Sequence, residues 1–356
     1  MLHRRLPDAR FVFFGTARPI DQQIIGNTSH ELVPQALRSF CRVPWRWPGF
    51  LYSYWQAARL CRARLQESRP LVVIGTGSLS SIPAVREAHR LGIPVALLNP
   101  DLLVGRANRH LSRMADVVFA QWEDTAGLLP SSADVRVCGC AIRPEFGNVT
   151  RAGGLACFDL DSERKTLLVT GASQGARTVN EAVVANLDFL ETAVDWQVLH
   201  LTGGLDFERV QTAYQGRSIP ARVLSFTHHM AEAIAAADLV VSRAGASTLA
   251  EITAVGRASV LMPYPFHKDM HQLANARCLE RAAAARVVHD AIDLSLNGPK
   301  LREVLTQLMR DPRQLEEMAA AARQVGRRQA ATDIADQVMQ LATRSRVPSA
   351  CEILEA

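Results

Sequence analysis

The chain has 356 residues, 48% of them apolar and 21% charged, which excludes a disordered or fibrous chain and offers more apolar material than a single core normally uses. Its net charge of +5 is unevenly spread: residues 1–150 hold 18 Lys and Arg against 11 Asp and Glu, and the remainder 22 against 24. The seven cysteines are scattered, and the Cys138/Cys140 pair matches no common zinc or redox spacing, so a reducing compartment is expected.

Neither a signal peptide nor an uncharged run near the roughly 18 to 20 residues that span a bilayer is visible, so any membrane contact is expected to be peripheral. A first apolar strand is predicted over 11–14. Between Arg38 and Arg69 come seven arginines and one acid, Glu67, interleaved with Phe40, Trp45, Trp47, Phe50, Leu51, Tyr54 and Trp55. Arginines beside interfacial aromatics suit an anionic membrane surface. The alternative is an amphipathic helix that buries its aromatics in the core. Nucleic acid is the weakest reading of the patch, because no recognised binding module accompanies it, and no nucleic-acid partner is expected.

Further strands over 71–74, 94–98 and 117–120 alternate with helices over 82–91 and 107–114. A break follows at 142–157, where Arg143-Pro-Glu-Phe-Gly and then Gly153-Gly154 interrupt the periodicity. Alternation resumes with strands over 166–170, 197–201, 223–224, 239–241 and 259–262, and helices over 176–186, 230–237, 247–255 and 271–285. Apolar strands joined by helices indicate parallel sheets covered on both faces. The expected domains are therefore 1–145 and 155–326, with a last helix over 327–343 long enough to cross back onto the first.

In such sheets ligands sit beyond the carboxyl ends of the strands. The turn Gly171-Ala-Ser173-Gln174-Gly175 opens a helix and has the form of an anion cradle, or of simple punctuation. A second turn, Ser242-Arg243-Ala-Gly245-Ala246-Ser247-Thr248, repeats the design, with Glu251 one helical turn beyond Ser247. Glu251 suits a pair of ribose hydroxyls, or is a favourable charge near a helix start. A third, 262–272, ends in Asp269, His271 and Gln272, groups that read sugar hydroxyls. No Asp-x-Asp pair stands in a suitable turn, so neither a metal nor another cofactor is expected.

Taken together, Gly-Ala-Ser-Gln-Gly-Ala-Arg-Thr-Val-Asn at 171–180, Phe226-Thr227-His-His-Met230, the 236–248 segment and Lys268-Asp-Met-His-Gln-Leu-Ala-Asn-Ala276 closely resemble the MurG family over about residues 7–343. The resemblance implies an α/β GT-B fold of two Rossmann-like domains facing a cleft. It further implies an inverting transferase that moves GlcNAc from UDP-GlcNAc to the C4 hydroxyl of undecaprenyl-pyrophosphoryl-MurNAc-pentapeptide, at the cytoplasmic face of the inner membrane. On the family pattern Glu251 binds ribose, the main chain at Thr227 meets uracil, Ser173 with the Gly245-Ala246-Ser247 turn supports the diphosphate, and Gln174 belongs to the same UDP-GlcNAc site. Gln272, beside His271, addresses the GlcNAc hydroxyls, and Arg143 falls where the family has a junction arginine. Trp45, Trp47, Phe50 and Trp55 are the expected membrane contacts.

The first half departs from that pattern. The strand at 11–14 matches the family's second strand, so the first domain is expected to lack its first strand and the Gly-rich loop carrying a candidate base. Ser78 and Leu79 replace a Gly and a Tyr, and Leu98-Asn99-Pro100-Asp101 replaces a His-Glu-Gln-Asn segment. Asp101 is the catalytic candidate that remains by position. Two alternatives retain the donor motifs: another UDP-sugar lipid glycosyltransferase of this fold, or a catalytically impaired nucleotide-sugar-binding relative.

Overall fold

The protein is described from a computed structural model covering residues 1–38, 44–171, 175–266 and 269–344. It divides into two compact units, Met1–Cys138 with Ala331–Ala356, and Gly139–Ala330. The first unit runs α1 (Leu2–Arg5), β1 (Val12–Thr16), α2 (Pro19–Gly26), β2 (Glu31–Gln35), α3 (Trp47–Ser68), β3 (Val73–Gly75), α4 (Ser81–Arg90), β4 (Val95–Asn99), α5 (Arg106–Leu111), β5 (Val117–Ala120) and β6 (Val135–Val137). The second begins with α6 (Arg151–Cys157), β7 (Lys165–Thr170), α7 (Arg177–Val184), α8 (Leu187–Thr192), β8 (Trp196–Leu201), α9 (Phe207–Tyr214), β9 (Ala221–Leu224) and α10 (Met230–Ala236). It continues through β10 (Leu239–Ser242), α11 (Ala246–Val255), β11 (Ala258–Leu261), α12 (His271–Arg281), β12 (Ala285–Val287), α13 (Leu294–Met309) and α14 (Pro312–Val325). A last helix, α15 (Ala330–Arg344), belongs to the first unit from Ala331 onward.

In the first unit the parallel sheet is in two pieces, β1-β2 and β3-β4-β5-β6. The pieces share one core, since Phe14 of β1 and Val73 of β3 both pack against the cluster of Leu65, Val85, Val95, Leu97 and Val118. Val95, Ala96 and Leu97 of β4 are fully buried, as a strand covered on both faces requires. The second cover is α15, whose Ile334 and Val338 pack with Ala96, Val117 and Phe119.

The second unit holds one parallel sheet of six strands in the order β12-β11-β10-β7-β8-β9. The chain winds outward from β7 through β8 to β9, then returns to β10 on the other side of β7. The winding direction therefore reverses between β7 and β10, and a crevice for ligands opens beyond the carboxyl ends of such a pair. Asp238 locks their register: its backbone N–H donates to Thr166 O at 2.9 Å, and its carboxylate accepts from Thr166 N at 2.8 Å.

Several expected elements change. The helix expected over 271–285 stops at Arg281, because Ala283 takes a positive φ of 56° and residues 285–287 join the sheet beside β11. The one expected over 176–186 ends at Val184, and α8 follows from Leu187 once Asn186 has folded its side chain back onto Ala182 O at 2.7 Å. The last helix starts at Ala330 rather than 327, since Arg328 is held by Ala254 O at 2.6 Å. Strand β2 was hidden by Pro34, which an edge strand tolerates. Gly153 and Gly154, expected to interrupt regular structure, lie inside α6. A Cβ on Gly154 would stand 2.3 Å from Glu232 O and 2.7 Å from Ala236 N, so this glycine allows α6 to lie directly on α10. Gly154→Ala should accordingly cost about 1 to 3 kcal/mol through overpacking, read as a lower urea midpoint at unchanged slope.

Candidate functional site

The crevice between β7 and β10 is walled by the starts of two helices. At one, β10 ends at Ser242 and Gly245, in extended backbone, leads into α11 without any side-chain cap. The first-turn N–H groups therefore face outward with the positive helix end behind them, an arrangement that attracts anions. A Cβ on Gly245 would meet only Thr248 Oγ1, at 3.8 Å, so the space above the turn is open. Ala246 is buried and Ser247 exposed. At the other, α7 is equally uncapped, and Gly175 (φ +74°) passes so close to β8 that a Cβ would lie 2.3 Å from Thr202 O. Ser173 and Gln174 lie outside the described residues.

Glu251 sits on α11 one turn in, half-buried. Burial pushes its carboxyl up to about 7 from 4.5, while Arg143 draws it down and Glu145 raises it further. Arg143 is exposed, pairs with Glu145 at 3.1 Å and lies over the Phe146 ring at 5.2 Å. The structure thus brings Arg143 into the electrostatic environment of Glu251, a neighbourhood that their separation of 108 positions concealed.

Gln272 on α12 accepts through Oε1 from Tyr264 N at 2.9 Å and Ala244 N at 3.3 Å. Both partners are donors, so the oxygen position is dictated and the amide N–H groups remain to donate outward. Asn275, further along α12, donates to Ala244 O at 3.4 Å, so the peptide ahead of Gly245 is gripped on both sides. His271 opens α12, with Nε2 3.8 Å from Asp269 Oδ2. Thr227 Oγ1 accepts from His229 N at 3.0 Å and orders the loop after β9, where Phe226 is exposed with its ring 4.9 Å from His228.

Beneath these turns lies a cluster that sequence reasoning missed. Arg243 and Asp290 form an ion pair at 2.8 Å, with the aspartate side chain fully buried. Arg243 also donates to Met262 O at 2.8 Å, Pro263 O at 3.3 Å and Thr178 Oγ1 at 2.7 Å. Thr178 Oγ1 in turn donates to Asp290, which also accepts from Ile292 N and Asn297 Nδ2, each at 2.8 Å. Burial alone would raise the Asp290 carboxyl, but the hydrogen bonds from Thr178, Ile292, Arg243 and Asn297 outweigh it and hold it below its ordinary value. Arg243 stood in a quoted turn; nothing in the sequence singled out Asp290.

In the first unit, Asp101 follows β4 in a half-buried turn, where its carbonyl accepts from Asn99 Nδ2 at 2.6 Å. There too, α3 buries only Ser53, Ala57, Cys61 and Leu65, one residue per turn. Trp45, Trp47 and Trp55 are 82%, 44% and 55% exposed, and Leu51 and Tyr52 are exposed beside them. Phe50 is half-buried. Trp45, Trp47, Tyr52 and Trp55 therefore stay out of the core, and Arg59 lies over Trp55 at 5.6 Å.

Residues 166–338 match the glycosyltransferase family 28 C-terminal domain. A protein of Syntrophus aciditrophicus named UDP-N-acetylglucosamine--N-acetylmuramyl-(pentapeptide) pyrophosphoryl-undecaprenol N-acetylglucosamine transferase is 34% identical over 350 residues, covering 96% of this chain and 92% of its own. The protein of that name from Bacillus subtilis is 31% identical over 328 residues, covering 91% and 89%. The crystal structure of Acinetobacter baumannii MurG superposes with a TM-score of 0.76 at 24% identity, over 95% of this chain and 94% of that one.

The Glu251 carboxyl carries a stability signature. Its folded value of about 7 lies above 4.5, so between those values the native protein holds a proton that the unfolded chain has lost. The contribution is fully present below pH 4.5 and is lost as pH rises through 7. Glu251→Gln should flatten that part of the stability profile and leave the protein roughly 2 to 3 kcal/mol more stable at pH 8, measured by denaturant unfolding across pH.

Proposed function

The chain belongs to the MurG family, and we propose that it moves N-acetylglucosamine from UDP-GlcNAc to the C4 hydroxyl of undecaprenyl-pyrophosphoryl-N-acetylmuramyl-pentapeptide, with its second unit holding the donor. The observation that carries the donor assignment is the convergence, at one end of one sheet, of an uncapped helix start at Gly245, a desolvated carboxylate at Glu251 and a fixed amide donor at Gln272. A nucleoside diphosphate sugar presents the matching groups: anionic oxygens for the helix starts, vicinal ribose hydroxyls for the carboxylate, and sugar hydroxyls for the amide. The backbone beside Thr227 suits the base, with exposed Phe226 as an apolar neighbour.

Transfer is a single inverting displacement. The acceptor oxygen forms its bond to the anomeric carbon as the bond to the diphosphate oxygen breaks, the electron pair leaves with UDP, and the hydroxyl proton passes to a base. The N–H groups at the starts of α7 and α11 stabilise the charge that grows on the leaving diphosphate. Asp101 is the candidate base. The test is UDP release with and without the lipid-linked acceptor, which should be acceptor-dependent. Release with a different acceptor only would point to another lipid glycosyltransferase, and binding without release to an impaired relative.

Among the described residues no helix is long and apolar enough to span a membrane, which is compatible with peripheral association. We place it at the cytoplasmic face of the inner membrane, docked through the aromatics of α3 and the segment before it, with the surrounding arginines meeting anionic headgroups.

Two predictions follow from these assignments. Glu251→Ala should weaken UDP binding by about 1.5 to 3 kcal/mol, and in the unaltered protein UDP affinity should fall as pH drops below 7, with a proton released on binding; calorimetry in buffers of different ionisation enthalpy reads both. Replacing Trp45, Trp47 and Trp55 by Ser should leave the protein folded, because all three are exposed, yet reduce its sedimentation with anionic vesicles, and added salt should reduce it further.

A further inference from the structure

Four separate connections leave the carboxyl edge of the second sheet around the crevice, and each contributes one part of the buried cluster. Thr178 comes from the first turn of α7, Arg243 from the end of β10, the Met262 and Pro263 carbonyls from the end of β11, and Asp290 from the segment after β12. Buried polar groups bind the parts that hold them into one geometry when every member is satisfied. Here the Asp290 carboxylate accepts four hydrogen bonds, and the terminal nitrogens of Arg243 meet four acceptors. The residue after Arg243 is itself fixed by Gln272 and Asn275, two positions ahead of the first residue of α11.

We infer that Asp290 is a positioning residue for sugar transfer: with Arg243 and Thr178 it fastens the start of α11 to the start of α7, setting the two groups of N–H donors at the spacing the leaving diphosphate requires. The inference rests on the donor-site reading above and adds the element that keeps its two anion-facing helix starts in register. Neither Asp290 nor Thr178 has to touch the substrate. Preorganised donors act chiefly on charge that develops in the transition state, so loosening the fastening should lower turnover more than donor binding.

The experiment uses the full chain and measures acceptor-dependent UDP release, the KM for UDP-GlcNAc and thermal unfolding. Thr178→Val removes the bridging hydroxyl with little change of shape, Thr178→Ser retains it, and Asp290→Asn keeps the shape but removes the charge. Thr178→Val and Asp290→Asn should lower kcat by about 10- to 100-fold, with KM within about threefold of the unaltered protein, while Thr178→Ser stays close to it. Should Asp290→Asn fail to fold, the Val and Ser pair at 178 carries the decision. A Thr178→Val protein with unchanged kcat, a rise confined to KM, or a loss of activity that tracks unfolding and that Ser does not rescue would each overturn the role. Absence of acceptor-dependent release in the unaltered protein would overturn the transfer reading, and this inference with it; if the unaltered protein turns over normally, any failure belongs to Asp290 alone.

Discussion

The pairing of β7 with β10 is the constraint on which the rest depends. Leu167 to Thr170 run beside Leu239 to Ser242 in parallel register, so both strands end together and both following helices start at the same edge. A parallel pair cannot be joined by a tight turn, and here the connection is long enough to complete β8 and β9 before the chain returns. That detour separates the two anion-facing turns by about seventy residues in sequence while placing them side by side in space. The Asp238 carboxylate, which accepts from Thr166 N and pairs with Arg151 at 3.3 Å, fixes the pairing at its amino end.

Helix α11 turns that placement into a directed field. Its amino end is uncapped, whereas its carboxyl end is closed: Gly256 adopts the left-handed conformation and returns its N–H to Ile252 O at 2.8 Å. Arg323 donates to Gly256 O at 3.3 Å and Arg328 to Ala254 O at 2.6 Å. Cations at the carboxyl end complement the helix dipole there, so the end left without a protein partner is the one facing the crevice. Desolvation of Glu251 has the same origin, since a helix packed tightly enough to be oriented also excludes water from its inner positions.

Much of this was legible in the sequence, and the limits of that legibility are physical. Runs such as Val117–Ala120 and 239–241 are uninterrupted and apolar, and the small-residue turns at Gly171 and Gly245 announce themselves because backbone N–H groups need no particular side chain to bind anions. Strand β12 was not legible: Ala285-Arg-Val continues a run of alanines that carries the composition of a helix, and only pairing with β11 makes it a strand. Asp290 was hidden for a related reason. Its partners, Thr178 and Arg243, lie 112 and 47 positions away, and such contacts leave no local periodicity. The exposure of the α3 aromatics could not be read from amphipathicity either, because the buried stripe of that helix consists of Ser53, Ala57, Cys61 and Leu65, smaller on average than the aromatics turned outward.

That narrow stripe has a consequence for the behaviour of the isolated protein in water. A helix seated on small side chains presents its bulkiest residues to solvent, and apolar surface exposed as a contiguous patch drives proteins together when nothing else covers it. Lipid, detergent and a second copy of the chain then compete for one face, and the colloidal state of a preparation becomes a readout of how fully that face is occupied. The surrounding arginines set a countervailing repulsion between copies, so ionic strength shifts the balance toward clustering as it screens them.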